Sequence, residues 1–292
     1  MMSNLLQKKE KDVVAHDKMP GKAWFIICSC ISVMVLYPLV ASLMSSLKDP
    51  KEAQQTPPTF FPRDWSLSSF RRLTGISDGV THYIVNSSLL AAGTVFGTLV
   101  LSVLAGYGFA RFKFRTKGLL FGVILLMIMI PFQALLTPIY VIFGKIGLQN
   151  NLVGLCFIYI TYQLPFSIFV MRNAFAEIPS SLEEAAIVDG CSPWNTFLRV
   201  MLPLAVPGCI SVALFAFFAS WNEFLAALIL MNDQANYTLP IMLTLINAKL
   251  YGQVDWGLMQ AGVIVTMIPC MILFLTLQKY YVQGLMSGGV KA

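Results

Sequence analysis

Charged side chains are scarce in this sequence, since Asp, Glu, Lys and Arg together account for only 12% of its 292 residues. Soluble domains carry roughly 25%, so this composition argues against a chain built of soluble domains. Hydrophobic residues reach 57%, and apolar runs of about 20 residues, which match the hydrocarbon core of a bilayer, recur along the chain. The sequence therefore predicts an all-α, polytopic membrane protein that contacts lipid.

Groups that could carry out catalysis or bind a cofactor are also missing. The only histidines, His16 and His82, lie outside the apolar runs, and the six cysteines follow no metal-binding or disulfide spacing. Gly-Lys occurs only at positions 21–22 and 144–145, where no Ser or Thr follows to complete a phosphate-binding loop. The sequence therefore predicts a protein that is not an enzyme, that binds no metal or cofactor, and that would need a partner to use ATP.

Six apolar segments are long enough to be transmembrane helices. They cover residues 24–44, 84–109, 119–143, 152–171, 210–230 and 258–277. Prolines inside the third and fourth segments are expected to be tolerated, because neighbouring groups satisfy the freed carbonyls. The predicted organisation is a tail over residues 1–22, a six-helix domain over 23–281 and a tail over 282–292. Two shorter helices are expected near residues 67–73 and 239–250.

Lysine and arginine are distributed unequally between the two sides of the predicted membrane domain. Thirteen lie on the side of the termini and of the segment between the fourth and fifth spans, and seven lie on the other side. Because short cytoplasmic segments carry the excess of Lys and Arg, both termini are predicted to be cytoplasmic. The same distribution accounts for the net charge of +6 without a nucleic-acid partner.

Residues 178–207 form a polar, acidic segment between the fourth and fifth spans. Ser180 and Glu183 have the spacing of a capping box at a helix start, and Gly190 is placed to end that helix in a left-handed conformation. The Ser-Pro pair at 192–193 predicts the start of a second helix, which a proline ten residues further on would stop. Such a capped hairpin could be an ordinary surface feature or a docking element, and these residues alone do not decide between the two.

The spacing of residues along this segment resembles the EAA motif, which marks the permease subunits of bacterial ATP-binding-cassette (ABC) importers. The matching positions are Glu184-Ala185-Ala186, Gly190, Val200 and Leu202-Pro203. Val200 is the one departure, since isoleucine is commoner there. Further similarity narrows the resemblance to the smaller permease of the carbohydrate-uptake, maltose-type family. It lies in Leu182-Glu183, Asp189, residues 220–224 (SWNEF), Asn86-Ser87, residues 107–111 and residues 278–292.

The resemblance implies the type I ABC importer permease fold and a place in a complex of the bacterial inner membrane. This chain would form half of the translocation pathway for a carbohydrate, in particular an oligosaccharide, beside a second, homologous permease. Two copies of a cytoplasmic ABC ATPase would bind ATP and Mg, and an extracytoplasmic solute-binding protein would deliver the substrate. The coupling-helix loop, residues 174–207, would dock on the ATPase through Leu182, Glu183, Glu184, Ala185, Ala186, Asp189, Gly190, Arg199 and Pro203.

Glu223 is the one carboxylate deep in a predicted span. A charge at that depth costs at least ~2.5 kcal/mol on insertion scales, so it is expected to face protein or water. With Trp221 and Asn222 it could line the substrate pathway, or it could form a structural hydrogen bond to another helix. An ion-coupled secondary transporter, the alternative function, would need several such carboxylates or inverted repeats, and the sequence shows one carboxylate and no repeat.

Overall fold

Helices provide the regular structure of this protein, whose computed structural model describes residues 21–76, 79–247 and 254–289. The first seven are α1 (Lys22–Ser46), α2 (Pro50–Ala53), α3 (Ser68–Thr74), α4 (Val80–Arg111), α5 (Lys117–Ile128), α6 (Phe132–Ile146) and α7 (Leu152–Glu177). They are followed by α8 (Ser180–Val188), α9 (Pro193–Thr196), a π-helical segment (Phe197–Met201), α10 (Leu202–Leu204), α11 (Val206–Trp221), α12 (Leu225–Leu230), a 3₁₀ turn (Gln234–Asn236), α13 (Leu239–Asn247) and α14 (Trp256–Gly289). The prediction of an all-α membrane protein is confirmed.

Four helices, α1, α4, α7 and α14, contain segments that are long and apolar enough to cross a membrane alone. Two further crossings depend on pairs of helices that meet at a sharp bend. The axes of α5 and α6 differ by 98°, and the helical run of residues 193–204 meets α11 at 72°. With each bent pair taken as one span, the described residues contain up to six crossings, which is the number predicted.

Hydrogen bonds at both ends of α4 and α7 show that these two helices run parallel. Near their N-terminal ends, Asn86 and Asn150 bond to the same loop, residues 231–238. At their C-terminal ends, the Arg111 guanidinium donates to the carbonyl oxygen of Ile178 over 2.6 Å. Because α4 and α7 start on one side of the membrane and end on the other, the chain between them, α5 and α6, has to cross the membrane once.

The predicted third span, residues 119–143, is wrong as a single helix. α5 ends at Ile128 and α6 begins at Phe132, with Pro131 between them in an extended conformation (ψ 128°). Proline lacks the N–H that a helix interior needs, and its ring disfavours a helical residue before it. In addition, none of the side chains of α5 is buried, so little packing opposes the break.

The predicted fifth span, residues 210–230, is also interrupted. α11 starts at Val206 and ends at Trp221, and residues 222–224 are not helical. The N–H groups of Ala226 and Ala227, in the first turn of α12, donate to the carboxylate of Glu223. The break is therefore capped by a side chain, which satisfies helix-start donors that have no carbonyl partner within α12.

α4, α7 and α11 form the centre of the domain, and small residues allow α4 and α7 to approach closely. Gly93 and Gly97 on α4 both face α7: a Cβ atom added at Gly97 would lie 2.5 Å from Cδ1 of Ile160. Small residues at this spacing are typical of close helix contacts in membranes. α1, by contrast, packs along α14 and leaves most of its side chains exposed.

The two short helices that the sequence predicts are present as α3 and α13. An ion pair of 2.5 Å between Arg72 and Asp255 ties α3 to the start of α14. Residues 248–250 of the predicted segment 239–250, residues 1–20 of the predicted N-terminal tail and residues 290–292 lie outside the described residues. α14 continues to Gly289, so the predicted C-terminal tail, residues 282–292, begins as part of this helix.

Candidate functional site

Residues 178–207 form two helices joined by a turn, which we call the hairpin. The first of these helices does not begin as the sequence predicts. Pro179 takes the N-cap position with an extended backbone (ψ 134°), α8 starts at Ser180, and no side chain caps it. The predicted capping box of Ser180 and Glu183 is therefore wrong. The Glu183 carboxylate is instead bonded to α4, where the available donors are a phenol and a guanidinium.

Glu183 is held by two side chains from the C-terminal end of α4. The Tyr107 hydroxyl donates to Oε1 over 2.6 Å, and Nε of Arg111 lies 3.2 Å from Oε2. Arg111 also donates to the carbonyl oxygen of Ile178, directly before α8. We call these contacts among Tyr107, Arg111 and Glu183 the latch. They fix α8 to α4. Tyr107 and Arg111 are four residues apart and so share one helix face, but the sequence does not show which acidic residue they contact.

A cluster of apolar side chains packs against the Tyr107 ring and so supports the latch. The Tyr107 ring packs against Phe197 and Phe175, with centroid distances of 4.8 and 5.3 Å. Phe175 and Met201 are fully buried in the same cluster. The position of α8 is therefore set both by hydrogen bonds and by close-packed aromatic side chains, which leaves it little freedom to move relative to α4 and α7.

The end of α8 agrees with the prediction. Gly190 has a φ of +86°, its N–H donates to the carbonyl of Ile187, and the N–H of Cys191 donates to the carbonyl of Ala186, each over 3.0 Å. This pair of bonds is the Schellman motif, in which a left-handed residue, usually glycine, closes a helix.

The second helix of the hairpin also starts as predicted, with Pro193 at its first position and the Ser192 hydroxyl accepting from the N–H of Asn195. Pro203 does not stop the helical run at once. The run passes through the π-helical segment and ends at Leu204. Since Pro203 cannot donate a helical hydrogen bond, the widened turn before it accommodates the missing bond.

The structure divides the predicted docking residues into an outer and an inner set. The outer set is exposed and consists of Leu182, Glu184, Ala185, Asp189, Gly190, Arg199 and Pro203. The inner set is Ala186, which is buried, and Glu183, which belongs to the latch. Within the described chain, the side chains of Glu184, Asp189 and Arg199 form no hydrogen bond or ion pair, so they are available to a partner. Sequence reasoning missed the exposed Ile187, Val188 and Trp194, which extend the same outer face.

A second polar group lies inside the membrane domain, at the break between α11 and α12. Glu223 accepts a hydrogen bond of 2.5 Å from the Tyr159 hydroxyl of α7, in addition to those from the N–H groups of α12. Trp221 is buried and donates its indole N–H to the carbonyl of Thr266. Asn222 is exposed. These contacts give Glu223 and Trp221 structural partners, and the role of the three residues in the substrate pathway stays a prediction.

The substitution Glu223→Ala is expected to destabilise the permease by about 1–3 kcal/mol, because three buried donors lose their acceptor. Thermal unfolding of the purified protein in detergent measures this effect. Asn222→Ala is the control, since among the described residues the Asn222 side chain bonds only to the carbonyl of Phe218, in the last turn of α11, and it should leave the unfolding temperature unchanged. An assembled Glu223→Ala variant with unchanged unfolding but lost transport would instead place Glu223 in the pathway.

Comparison with known proteins places this arrangement in a family. The family described as "Binding-protein-dependent transport system inner membrane component" matches residues 98–287. The trehalose transport system permease protein SugB of Mycobacterium tuberculosis is 34% identical over 92% of this chain and 97% of its own length. The diacetylchitobiose uptake system permease protein DasC of Streptomyces coelicolor is 31% identical over 93% of this chain and 98% of its own length.

A solved structure confirms the fold. A chain from the crystal structure of a bacterial ABC transporter involved in the import of the acidic polysaccharide alginate superposes with a TM-score of 0.80, covering 89% of this chain and 96% of that chain at 22% identity. The predicted type I permease fold is therefore correct. The chain belongs to the family of binding-protein-dependent transport system inner membrane components, the permease subunits of ABC importers.

Proposed function

We propose that this chain is one permease of a carbohydrate importer and forms half of the translocation pathway beside a second, homologous permease. The names of two relatives that span nearly the whole chain, a trehalose permease and a diacetylchitobiose permease, support the substrate class. Two copies of a cytoplasmic ATPase would hydrolyse ATP, and an extracytoplasmic solute-binding protein would deliver the sugar. Membership of the permease family decides against the alternative of an ion-coupled secondary transporter.

The outer face of the hairpin is the observation that carries the coupling part of this proposal. Val188, Ile187 and Leu182 are 85%, 54% and 43% exposed, although they lie on a helix whose inner side is fixed by the latch. An apolar patch rimmed by free charged side chains is typical of a protein–protein contact. A helix that is fixed on one side and apolar on the other transmits the movement of its partner to the membrane helices as a rigid body.

Co-purification and reconstitution test the proposed function. The tagged permease should co-elute with an ATPase subunit and a second permease, and proteoliposomes with the binding protein should take up a sugar only with ATP. Val188→Asp should abolish co-elution of the ATPase. Leu67→Asp should not, since Leu67 is an exposed leucine in residues 54–67 between α2 and α3, the outer loop. A stable, active transporter made of this chain alone would contradict the proposal.

The proposed orientation places both termini and the hairpin in the cytoplasm, because Lys and Arg are in excess on that side. Asn195 is an exposed residue of the hairpin. A reporter enzyme that is active only in the cytoplasm should be active when it is inserted beside Asn195, and a reporter that is active only outside the cytoplasm should be inactive there. Insertion beside Arg63 in the outer loop is the matched control and should report the opposite side. Exchange of the two readouts would contradict this orientation.

A further inference from the structure

A cavity of about 420 Å³ opens where α5, α7 and α11 meet. Gln163 and Phe166 line it from α7, and Phe215, Phe218 and Ala219 line it from α11. Gln163 lies near the middle of the membrane-crossing helix α7. This volume is within the range of small-molecule sites in proteins.

Gln163 brings an unused amide into this cavity. Its residue is only 9% exposed, and no hydrogen bond from the described part of the chain reaches its side chain. An amide offers two donor hydrogens and an acceptor oxygen, and that of Gln163 is accessible from the cavity, which its residue lines. A ligand hydroxyl in the cavity could both donate to and accept from this amide, which would satisfy it.

Aromatic rings form the walls around the amide, and their neighbours hold them in place. Phe166 and Phe215 pack edge to face, with centroids 5.1 Å apart. Tyr162 packs on Phe132 at 4.6 Å. An aromatic face carries partial negative charge, so it attracts the C–H groups on the face of a sugar ring. Apolar walls with a few polar groups that fix orientation are the usual design of a ligand site.

The lining contains no Asp, Glu, Lys, Arg or His among its described residues. The nearest carboxylate along the two helices is Glu223, one turn beyond Ala219, and it is bonded to Tyr159, one turn before Gln163. A charged ligand would lose its hydration here without gaining a counter-ion. The cavity is therefore suited to an uncharged ring and not to an acidic sugar.

Two helix breaks lie next to this cavity. Ile128, the last residue of α5 before the 98° bend, is part of its lining, and the break after α11 follows Ala219 within one turn. Non-helical backbone at membrane depth is tolerated where it faces protein or a water-filled cavity. In transporters, interrupted helices commonly mark the substrate site.

We propose that this cavity binds one uncharged sugar ring during transport, with the Gln163 amide bonded to a ring hydroxyl and the ring face against the aromatic wall of Phe166, Phe215 and Phe218. This inference rests on the proposed function of carbohydrate import. It adds a substrate subsite within this chain and restricts the bound ring to a neutral one.

The test uses the complete complex in proteoliposomes with saturating binding protein. Uptake is measured for trehalose, diacetylchitobiose, maltose and a digalacturonate, and then for the monodeoxy analogues of the best neutral substrate. Gln163→Leu should lower uptake of that substrate about tenfold, the loss of one buried hydrogen bond, and leave ATP hydrolysis within about twofold of wild type. One deoxy analogue should be transported equally by both proteins, because it lacks the hydroxyl that Gln163 binds. Gln149→Leu, between α6 and α7 and outside the cavity lining, is the control and should transport normally.

Failures of the two proposals are distinguishable in this design. If the wild-type complex takes up none of the sugars, carbohydrate import itself is contradicted. If the wild-type complex transports only the digalacturonate, the subsite is overturned while the proposed function stands. The same holds if Gln163→Leu transports every neutral analogue as the wild type does, or if it loses transport of all of them equally.

A second measurement does not depend on the folding of a Gln163 variant. The transported sugar should protect Ala219→Cys from alkylation by N-ethylmaleimide in the assembled complex, with mass spectrometry separating this site from the six native cysteines. Ala213→Cys, on another face of α11, should not be protected. Equal alkylation of Ala219→Cys with and without sugar would overturn the proposal.

Discussion

The substitution Glu183→Ala is expected to lower the unfolding temperature of the permease by about 5 °C, whereas Glu184→Ala leaves it unchanged. The two glutamates are neighbours on α8, but only Glu183 is bonded to Tyr107 and Arg111. Removing one partner of a buried ion pair costs about 3–5 kcal/mol. Since the Arg111 and Glu183 side chains are 14% and 19% exposed, solvent screening reduces this to about 2 kcal/mol.

Binding of the ATPase should be affected in the reverse order, with Glu184→Ala losing more of it than Glu183→Ala. Glu184 is exposed and unpaired within the described chain, so Glu184→Ala should weaken co-elution of the ATPase without changing the unfolding of the isolated permease. Unfolding of purified permease in detergent and co-elution of the complex are the two measurements. The double variant Arg111→Ala/Glu183→Ala should lose less stability than the sum of the two single variants, because both single variants remove the same ion pair. Equal effects of the two glutamates on unfolding, or additivity of Arg111 and Glu183, would contradict the latch.

The substitution Gly190→Val is expected to lower sugar uptake at least ~10-fold while ATP hydrolysis continues. At a φ of +86°, a side chain costs about 1–2 kcal/mol, and more if it is β-branched. α8 should then lose its Schellman end and unwind where it would contact the proposed ATPase. A partner that moves against an unwound helix no longer moves the membrane helices with it, so ATP hydrolysis and transport become uncoupled.

Gly147 provides a matched control for this variant. It has a φ of +71° at the end of α6, and neither glycine has a neighbouring atom within 4 Å of an added Cβ. Gly147→Val should therefore cause a similar loss of stability, but it should leave the number of sugars transported per ATP unchanged. Gly190→Asn should be intermediate, since asparagine tolerates this conformation. Transmission of movement through α8 would be contradicted if both valine variants reduced the number of sugars transported per ATP equally. It would also be contradicted if Gly190→Val kept the wild-type ratio.

The parts of the fold that were predictable are those in which local chemistry decides. Apolar length predicted the spans of α1, α4, α7 and α14, and Gly190 and Ser192 ended and started helices as expected. Prolines were a weaker guide, because Pro131 separates two helices while Pro138 and Pro165 lie within α6 and α7. Burial does not separate the cases either, since Pro165 is buried whereas Pro138 is exposed, as Pro131 is.

The candidate sites were predictable to the extent that they lie within one stretch of chain. The hairpin and its outer face could be located, but the capping box failed because a guanidinium and a phenol more than 70 residues away bind Glu183. Glu223 could be recognised as unusual, whereas its donor Tyr159 could not be named. Gln163 carried no signal at all, since its importance comes only from the aromatic rings that tertiary packing brings around it.

The bend between α5 and α6 has a consequence for biosynthesis. The two helices contain 12 and 15 residues, or about 18 and 22 Å of helix, and neither length matches the ~30 Å of hydrocarbon that a segment must span to be released into lipid by itself. We therefore expect this segment to be retained at the translocon until α7 has emerged from the ribosome. The order of insertion would then depart from the order of synthesis at this point in the chain.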